Sequence, residues 1–325
     1  MQSKYVLIFI LSIVFLNASY SQKYNSVDSI VDNYPKNIIN ADQLLVLIKK
    51  DFSKQDEKAR AVFRWVTTVI AYDVDLAKSM DYKSINAFSY KTQKEMEIKE
   101  KKFKLDLVTN TMISKIGVCH SYAALVEYLC VKLGLEAKII IGNLKSDPSQ
   151  IGELPEVLNH AWNVVKIDNN WKFIDATLGA GFISSSTNLF KFYFNESYFL
   201  TDPDQFFLNH YPSDENWLLT AKNKKDFAQL PLFFGYYFQY NYQMTKPESG
   251  LYTTVKNGVF TFAIKGLNTY DDVAYSYSDD NKMNYLEQED NLKDFNIQLA
   301  KKKNGYLTLF VNRKIIAVYK IVFLE

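Results

Sequence analysis

The sequence predicts an α+β chain, a helical N-terminal part packed on an antiparallel sheet and followed by an all-β sandwich. Three observations carry this. Apolar positions recur at helical spacing before about Lys138. The stretch NHAWNVVKIDNNWKFIDATLG, Asn159 to Gly179, reads as two strands around a turn at Asp168, Asn169 and Asn170. From about Leu232 onward, short runs of Tyr, Phe and β-branched residues alternate with Asn, Asp, Gly and Lys. A chain of 325 residues exceeds what one core usually covers, so two domains are expected after an export segment. The boundaries are 1–21 for that segment, 22–230 for the core with a post-core stretch, and 231–325 for the sandwich.

The elements follow in order. Lys4 precedes an apolar run from Tyr5 to Phe15, and small residues at Ser19 and Ser21 precede Gln22. This is the pattern of a cleaved signal peptide, with an uncleaved anchor as the alternative, and it predicts an exported protein, periplasmic or secreted. The run is short for a membrane span, and no later segment approaches the roughly 18 apolar residues that would suggest one. Asp42 to Phe52 reads as a helix. Ser53 followed by Asp56 resembles a capping box opening a second helix through Thr68, with Ala59, Val62, Phe63, Val66 and Ile70 as its apolar stripe. The insert from Lys91 to Lys104 mixes both signs of charge, which suits a solvated helix or loop, or a lid. Beyond Leu232, GYYFQYNYQM, LYTTV, VFTFAI, DVAYSYS, FNIQLA, YLTLFVN and IIAVYKIVFL read as strands. Their tyrosines suit sheet packing, or a glycan or protein partner. With 38 Lys plus Arg against 36 Asp plus Glu, the chain has no electrostatic footprint for nucleic acid and no strong attraction to acidic membranes.

Chemistry centres on GVCHSYAALVEYLC, Gly117 to Cys130, which holds both cysteines. Ala124, Leu125, Tyr128, Leu129 and Val131 recur at helical steps, and Gly134 stops the pattern. The cysteines therefore lie at the start and near the end of one helix, roughly 16 Å apart at ~1.5 Å per residue. That is far beyond the ~7 Å that a disulfide spans. Cys130 reads as a small buried hydrophobe. Cys119 opens the helix, where unpaired N–H groups and the positive end of the helix dipole favour a thiolate, so it is the candidate nucleophile.

A base must come from His120, His160 or His210. Neighbouring helical side chains point about 100° apart, so His120 is poorly aimed at Cys119 and reads as a surface or packing residue. His210 sits in a loop-rich stretch with no evident acidic partner. His160 opens the first strand of the Asn159–Gly179 pair. If the turn pairs Ile167 with Asn170, Trp162 stands opposite Asp175, and His160 becomes its diagonal neighbour on the same face, roughly 7 to 8 Å away along the backbone. A carboxylate there can fix the imidazole tautomer and leave the other nitrogen for the thiol. A register shifted by one residue would put the two on opposite faces.

Taken together, Gly117-Val118-Cys119 opening a helix with Tyr122-Ala123, then His160-Ala161-Trp162-Asn163 on a strand, then Trp171 and Asp175-Ala176-Thr177, resemble the transglutaminase-like superfamily. Within it, the long form found in kyphoscoliosis-type peptidases and many secreted bacterial proteins fits best. ARAVFRWVTTVIAYD, Ala59 to Asp73, is similar to the segment that precedes the cysteine there, and FLTDPDQFFLNHYPSDENWLL, Phe199 to Leu219, to its post-core segment. The resemblance covers about residues 40 to 220. Ser121 departs from it, since the family usually has Gly two residues after the cysteine.

The resemblance implies a papain-like thiol fold with Cys119 as nucleophile, His160 as general base and then acid, and Asp175 as the orienting carboxylate. It implies attack on an amide or acyl carbon through a thioester that water or an amine releases. The oxyanion would be held by the Cys119 N–H and one further donor, for which Trp65, Tyr72 and Gln93 are the candidates, with Trp162 as a further pocket residue. The expected reaction is hydrolysis of peptide or isopeptide amides in a protein, peptide or cell-wall peptide substrate. Protein cross-linking, or a non-catalytic binding module on the same fold, are the alternatives. No cofactor is expected. The histidines are scattered and no zinc-finger or calcium-loop spacing appears, so no metal is expected either, and the calcium dependence of animal transglutaminases is not carried over.

Overall fold

The computed structural model describes residues 23–79, 89–254, 258–278, 280, 282–287, 294–299 and 303–324. The expected export segment, residues 1–21, lies outside them. The chain divides into two compact units. One comprises residues up to Ile140 with Ala161–Thr201, the other Ile141–His160 with Asp202 onward. No helix among the described residues is long and apolar enough to cross a membrane.

The first unit begins with helices α1 (Asn25–Asp32), α2 (Ala41–Asp51) and α3 (Gln55–Val69). The expected stripe of α3 is buried throughout, from Ala59 to Ile70, because residues three and four apart share the face that meets the core. The expected capping box at Ser53 is not formed. Lys54 is the N-cap and makes no side-chain cap, while the Asp56 carboxylate instead accepts from the Tyr24 hydroxyl at 3.1 Å and pairs with Lys23 at 2.7 Å. Arg60 is buried among aromatic rings, with Tyr24, Phe194 and Phe199 centred 5.1–5.2 Å from its guanidinium. It donates twice to Asp28, at 2.8 and 2.7 Å, and once to Glu196 at 3.3 Å. A buried cation of this kind is held only where carboxylates compensate its lost hydration.

The chain continues through β1 (Ala71–Tyr72), α4 (Val74–Ser79), α5 (Gln93–Ser114), β2 (Ile116–Gly117) and α6 (Cys119–Lys132). The charged insert at 91–104 falls in the first half of α5, which Thr92 caps by accepting from the Glu95 N–H at 3.2 Å. Strands β1 and β2 pair in parallel, Ala71 with Ile116 and Tyr72 with Gly117. Next come β3 (Ala137–Leu144), β4 (His160–Ile167), β5 (Asn170–Ile174), α7 (Ala176–Ala180), the β6 (Gly181–Ile183) and β7 (Phe190–Phe192) pair, and β8 (Phe199–Thr201). Strand β5 lies between β4 and β8, antiparallel to both. The β4–β5 ladder runs from Ile167 opposite Asn170 to Asn163 opposite Ile174, the register on which the sequence reading depends. Asp168 and Asn169 set it by adopting φ of 48° and 63°, a left-handed pair that these residue types tolerate and that matches the strand twist.

In the second unit, β9 (His210–Pro212) follows α8 (Pro203–Phe206) and pairs with the far half of β3, Leu144 opposite His210. After α9 (Lys224–Gln229) come β10 (Leu232–Phe233), α10 (Gly235–Gln239), β11 (Gln243–Lys246), β12 (Leu251–Thr254), β13 (Val259–Lys265), β14 (Val273–Tyr277), β15 (Asn284–Leu286), β16 (Phe295–Gln298), β17 (Gly305–Val311) and β18 (Lys314–Phe323). One sheet has the order β10-β18-β17-β14-β15, with β12 on β18, and the other has the order β11-β13-β16. Phe260 of β13 meets Tyr319 of β18 at 5.0 Å. Two expectations are corrected. The run GYYFQYNYQM is α10 followed by β11, with Tyr237 and Phe238 of α10 both buried. Strand β12 runs parallel to β18, not antiparallel. Lys145, at the end of β3, is buried and donates to the carbonyls of Phe227, Ala228 and Leu230 at 2.7, 3.3 and 2.8 Å.

Candidate active site

Cys119 is the first residue of α6 and is fully buried, packed with Ala123 and Ala161. The chain enters this helix through extended Val118, which Gly117 makes possible: a Cβ on Gly117 would lie 2.5 Å from the Ser121 Cβ. Ser121, in the position where the resemblance expects Gly, has its hydroxyl placed to accept from the Val118 N–H at 3.4 Å, so a small polar residue serves the same bend. Cys130 is equally buried. Burial, with the Glu127 carboxylate adding to it, pushes its thiol up to about 12, as suits a structural residue.

Asp175 stands at the junction of β5 and α7, with no exposed surface. As N-cap of α7 it accepts on Oδ1 from the N–H groups of Thr177 at 2.8 Å and Leu178 at 3.0 Å. Those bonds fix the carboxylate's orientation. Its charge reaches α6: the Tyr122 hydroxyl is pushed far above its ordinary value by burial first, then by Tyr72 and Asp175. Strand β4 is fastened to the same helix by Asn163, whose Nδ2 donates to the Ala123 carbonyl at 3.0 Å. Gly179 lets α7 sit against α3, since a Cβ there would lie 2.5 Å from the Phe63 ring.

His160 opens β4 and is buried, its ring centroid 5.6 Å from that of His210 at a tilt of 42°. One donor atom from each of His160, Asp175 and His210 lies within 4.8 Å of the others, and no cysteine is in that group. Two expectations are corrected here. The histidines are scattered only along the sequence, since folding gathers two of them with one carboxylate. The donor types would serve a metal as well as proton transfer. His120 is also not a surface residue. It is buried, with Nδ1 3.7 Å from the Cys119 Sγ. The 100° separation of adjacent side chains holds for Cβ directions, whereas Nδ1 lies close to the backbone and can reach back at the first turn of a helix.

Of the other candidates, Tyr72 is half-buried and pairs with Gly117, two residues before the cysteine. Trp65 is buried on α3, and its Nε1 has no hydrogen-bond partner among the described residues. Trp162 is buried on β4, one residue before Asn163, where the ladder with β5 ends opposite Ile174. Gln93 is exposed in the first turn of α5, a poor place for a donor to a buried oxyanion. The sequence reading missed Asn163 as a fastener and His210 as a neighbour of His160. The aromatic flanks of His210 in FFLNHY were the available signal for the second.

Comparison with known proteins matches the family model "Transglutaminase-like superfamily" to residues 46–176, which spans the helix of Cys119 and the strands that carry His160 and lead to Asp175. This segment is similar to the transglutaminase-like superfamily. Kyphoscoliosis peptidase of Mus musculus is 29% identical over 213 residues, covering 64% of this chain and 29% of that protein. The Homo sapiens kyphoscoliosis peptidase is 27% identical over 228 residues, covering 69% and 31%. The chain thus spans less than a third of the length of either. A solved structure described as a TGase is 18% identical and covers 53% of this chain and 39% of that one, with a TM-score of 0.30. In the transglutaminase-like segment, the glycine-led helix entry, the two-residue hairpin and the aspartate cap are each accounted for by packing and hydrogen bonds on this chain alone.

Proposed function

We propose that the protein is an exported, cysteine-dependent amidase of transglutaminase-like type that acts on peptide or isopeptide bonds. The carrying observation is the β4–β5 register, whose last pair, Asn163 opposite Ile174, lies next to Trp162 on β4 and to Asp175 just after β5. In this reading Cys119 Sγ attacks the amide carbon, and its proton passes to His160. Asp175 orients the imidazole, with Oδ1 already committed to the α7 cap. His160 then protonates the leaving amine. Water, activated by the neutral imidazole, attacks the thioester carbon, and the carboxylic acid leaves as the thiol is restored. Helix N–H groups at Cys119 and a second donor, with Tyr72 and Trp65 as candidates, take the oxyanion.

The test is the pH dependence of Cys119 alkylation by iodoacetamide, read by mass spectrometry, in wild type and His160→Ala. Rapid labelling well below pH 8 that the substitution abolishes supports the triad. Labelling that follows an ordinary thiol near ~8.5 and ignores the substitution removes it. The Nδ1–Sγ approach favours a second reading, with His120 as the proton acceptor. His120→Ala, in the same assay, separates the two. A non-catalytic binding module would keep its ligand affinity in Asp175→Ala, whereas an enzyme would lose turnover with the fold intact.

A further inference from the structure

We propose that the β6–β7 hairpin is a substrate subsite, a platform that seats a large apolar or aromatic side chain of a peptide within about seven residues of the amide presented to Cys119. The inference rests on the assignment of Cys119 as the nucleophile of an amidase, and it adds the class of substrate.

From Ala176 to Phe194 the chain carries a single charged side chain, Lys191, although charged residues make up 23% of the whole. In the same stretch Phe182, Ile183, Leu189 and Phe192 are 43–60% exposed. The ladder pairs Gly181 with Phe192 and Ile183 with Phe190, so Ile183, Phe190 and Phe192 share one face of the hairpin. Phe190 and Phe192 meet edge to face, with centroids 5.0 Å apart. Gly181 brings no side chain to cover the Phe192 ring, and a Cβ there would lie 2.0 Å from the Lys191 carbonyl oxygen, so the position stays bare. Backbone bonds close the turn, the Ser184 N–H donating to the Leu189 carbonyl at 2.9 Å and the Asn188 N–H to the Ser184 carbonyl at 2.7 Å. The rings are thus held in place before any ligand arrives, which lowers the ordering cost of binding. Contiguous exposed apolar surface of this kind marks a binding face.

What it binds follows from where it lies. The Phe190 ring reaches that of Tyr72, 6.4 Å between centroids. Tyr72 is paired with Gly117, two residues before Cys119, and the Asp73 N–H donates to the Gly117 carbonyl at 2.9 Å. All of these residues belong to the first compact unit. Those steps bound the path from Phe190 to Cys119 at roughly 25 Å, about seven residues of extended chain at ~3.4 Å each. A peptide whose amide stands at the thiol therefore has the length to cover the platform. With no carboxylate and one ammonium in the hairpin, the side chain that matches it is uncharged and large, and rings gain further from edge-to-face contact with Phe190 and Phe192.

The experiment offers the full chain a randomised peptide library and reads the new termini by mass spectrometry, in wild type, Phe192→Ser and Phe192→Trp. Wild type is expected to enrich Phe, Tyr, Leu or Ile at one position within about seven residues of the cut. On the best single peptide, Phe192→Ser is expected to raise KM about tenfold with kcat within about twofold, and Phe192→Trp to restore it. Because Phe192 is exposed, Phe192→Ser should leave the melting temperature and the alkylation of Cys119 unchanged, which separates a substrate seat from a structural role. A flat profile at every position away from the cut, or an unchanged KM in Phe192→Ser, overturns the proposal while the amidase reading stands. Absence of cleavage of any library member overturns the amidase reading, and this proposal with it. A wild-type dimer that Phe192→Ser splits, read by sedimentation velocity, assigns the face to a second copy of the chain and also overturns the proposal. Should Phe192→Ser fail to fold, the wild-type profile decides: enrichment of large apolar residues supports the subsite and a flat profile removes it.

Discussion

Cys119 and Cys130 occupy the two ends of one helix, and the ends differ in everything except burial. Around Cys130 the surroundings are apolar, and the Glu127 carboxylate is the charge that acts on it, so burial makes the thiol an inert hydrophobe. Around Cys119 the helix presents the positive end of its dipole, His120 brings a ring nitrogen to 3.7 Å, and Asp175 acts on Tyr122 one turn on. The contrast teaches that depth alone does not set the reactivity of a thiol. What decides it is whether the groups buried with it can take up charge.

The largest effect that would break this contrast is on turnover. Cys119→Ser is expected to lower kcat/KM on a cleavable peptide by ~10³-fold or more with an unchanged melting temperature. Cys130→Ser should leave turnover within about twofold and lose roughly 1–3 kcal/mol of stability in urea, since it leaves a buried hydroxyl where a thiol packed well. Equal losses of activity in the two variants would dissolve the distinction.

A second test moves the support rather than the thiol. Gly179→Ala forces a methyl toward the Phe63 ring and should cost roughly 1–3 kcal/mol. Because it displaces α7, it should also loosen the Asp175 cap. Turnover should therefore fall further than the stability change alone accounts for, when both are measured at a temperature where the variant is fully folded.

The third test is pH. The Cys130 thiol is raised to about 12 in the fold, against ~8.5 for a free cysteine. Between those values the unfolded chain has lost this proton and the folded chain has kept it. The stability tied to the protonated thiol is thus fully present below ~8.5 and drains away as pH rises toward the folded value. Urea midpoints from pH 8 to 10.5 should fall more steeply for wild type than for Cys130→Ala, by roughly 2 kcal/mol at the top of the range. Parallel curves would mean the thiol ionises in place. The smallest effect is Ser121→Ala, which deprives the Val118 N–H of its hydroxyl partner and should cost about 1 kcal/mol, read from the melting temperature.

Most of this contrast was legible before folding. Helical periodicity places both cysteines, and the Asp-Asn turn, whose residues tolerate left-handed backbone, fixes the register that pairs Ile167 with Asn170. What escaped depends on geometry that no spacing encodes. His120 escaped because a rule about Cβ directions ignores how near Nδ1 lies to the backbone. His210 escaped because its neighbours come from β3, α8 and the start of β4, which only tertiary pairing assembles. In the C-terminal unit, GYYFQ reads as strand by composition, yet it forms α10 with Tyr237 and Phe238 buried. Arg60 likewise gives no local sign that it will be enclosed by Asp28 and Glu196, which lie far from it in the chain.

The turn at Asp168–Asn169 is also docked, since the Asp168 N–H donates to the Gln55 side chain at the start of α3, at 2.9 Å. That makes the hairpin a ruler with a fixed zero. A one-residue insertion between Ile167 and Asn170 would carry every side chain of β4 to the other face, His160 included, relative to β5. The link between Leu144 and His160 does not set the face of His160, although Lys145 and Ile151 within it are buried. Natural variation in chain length around this site should therefore collect in the exposed positions 153–154 and 156–158 and spare 168–169, and a designer wishing to lengthen the protein near its chemistry has the same choice.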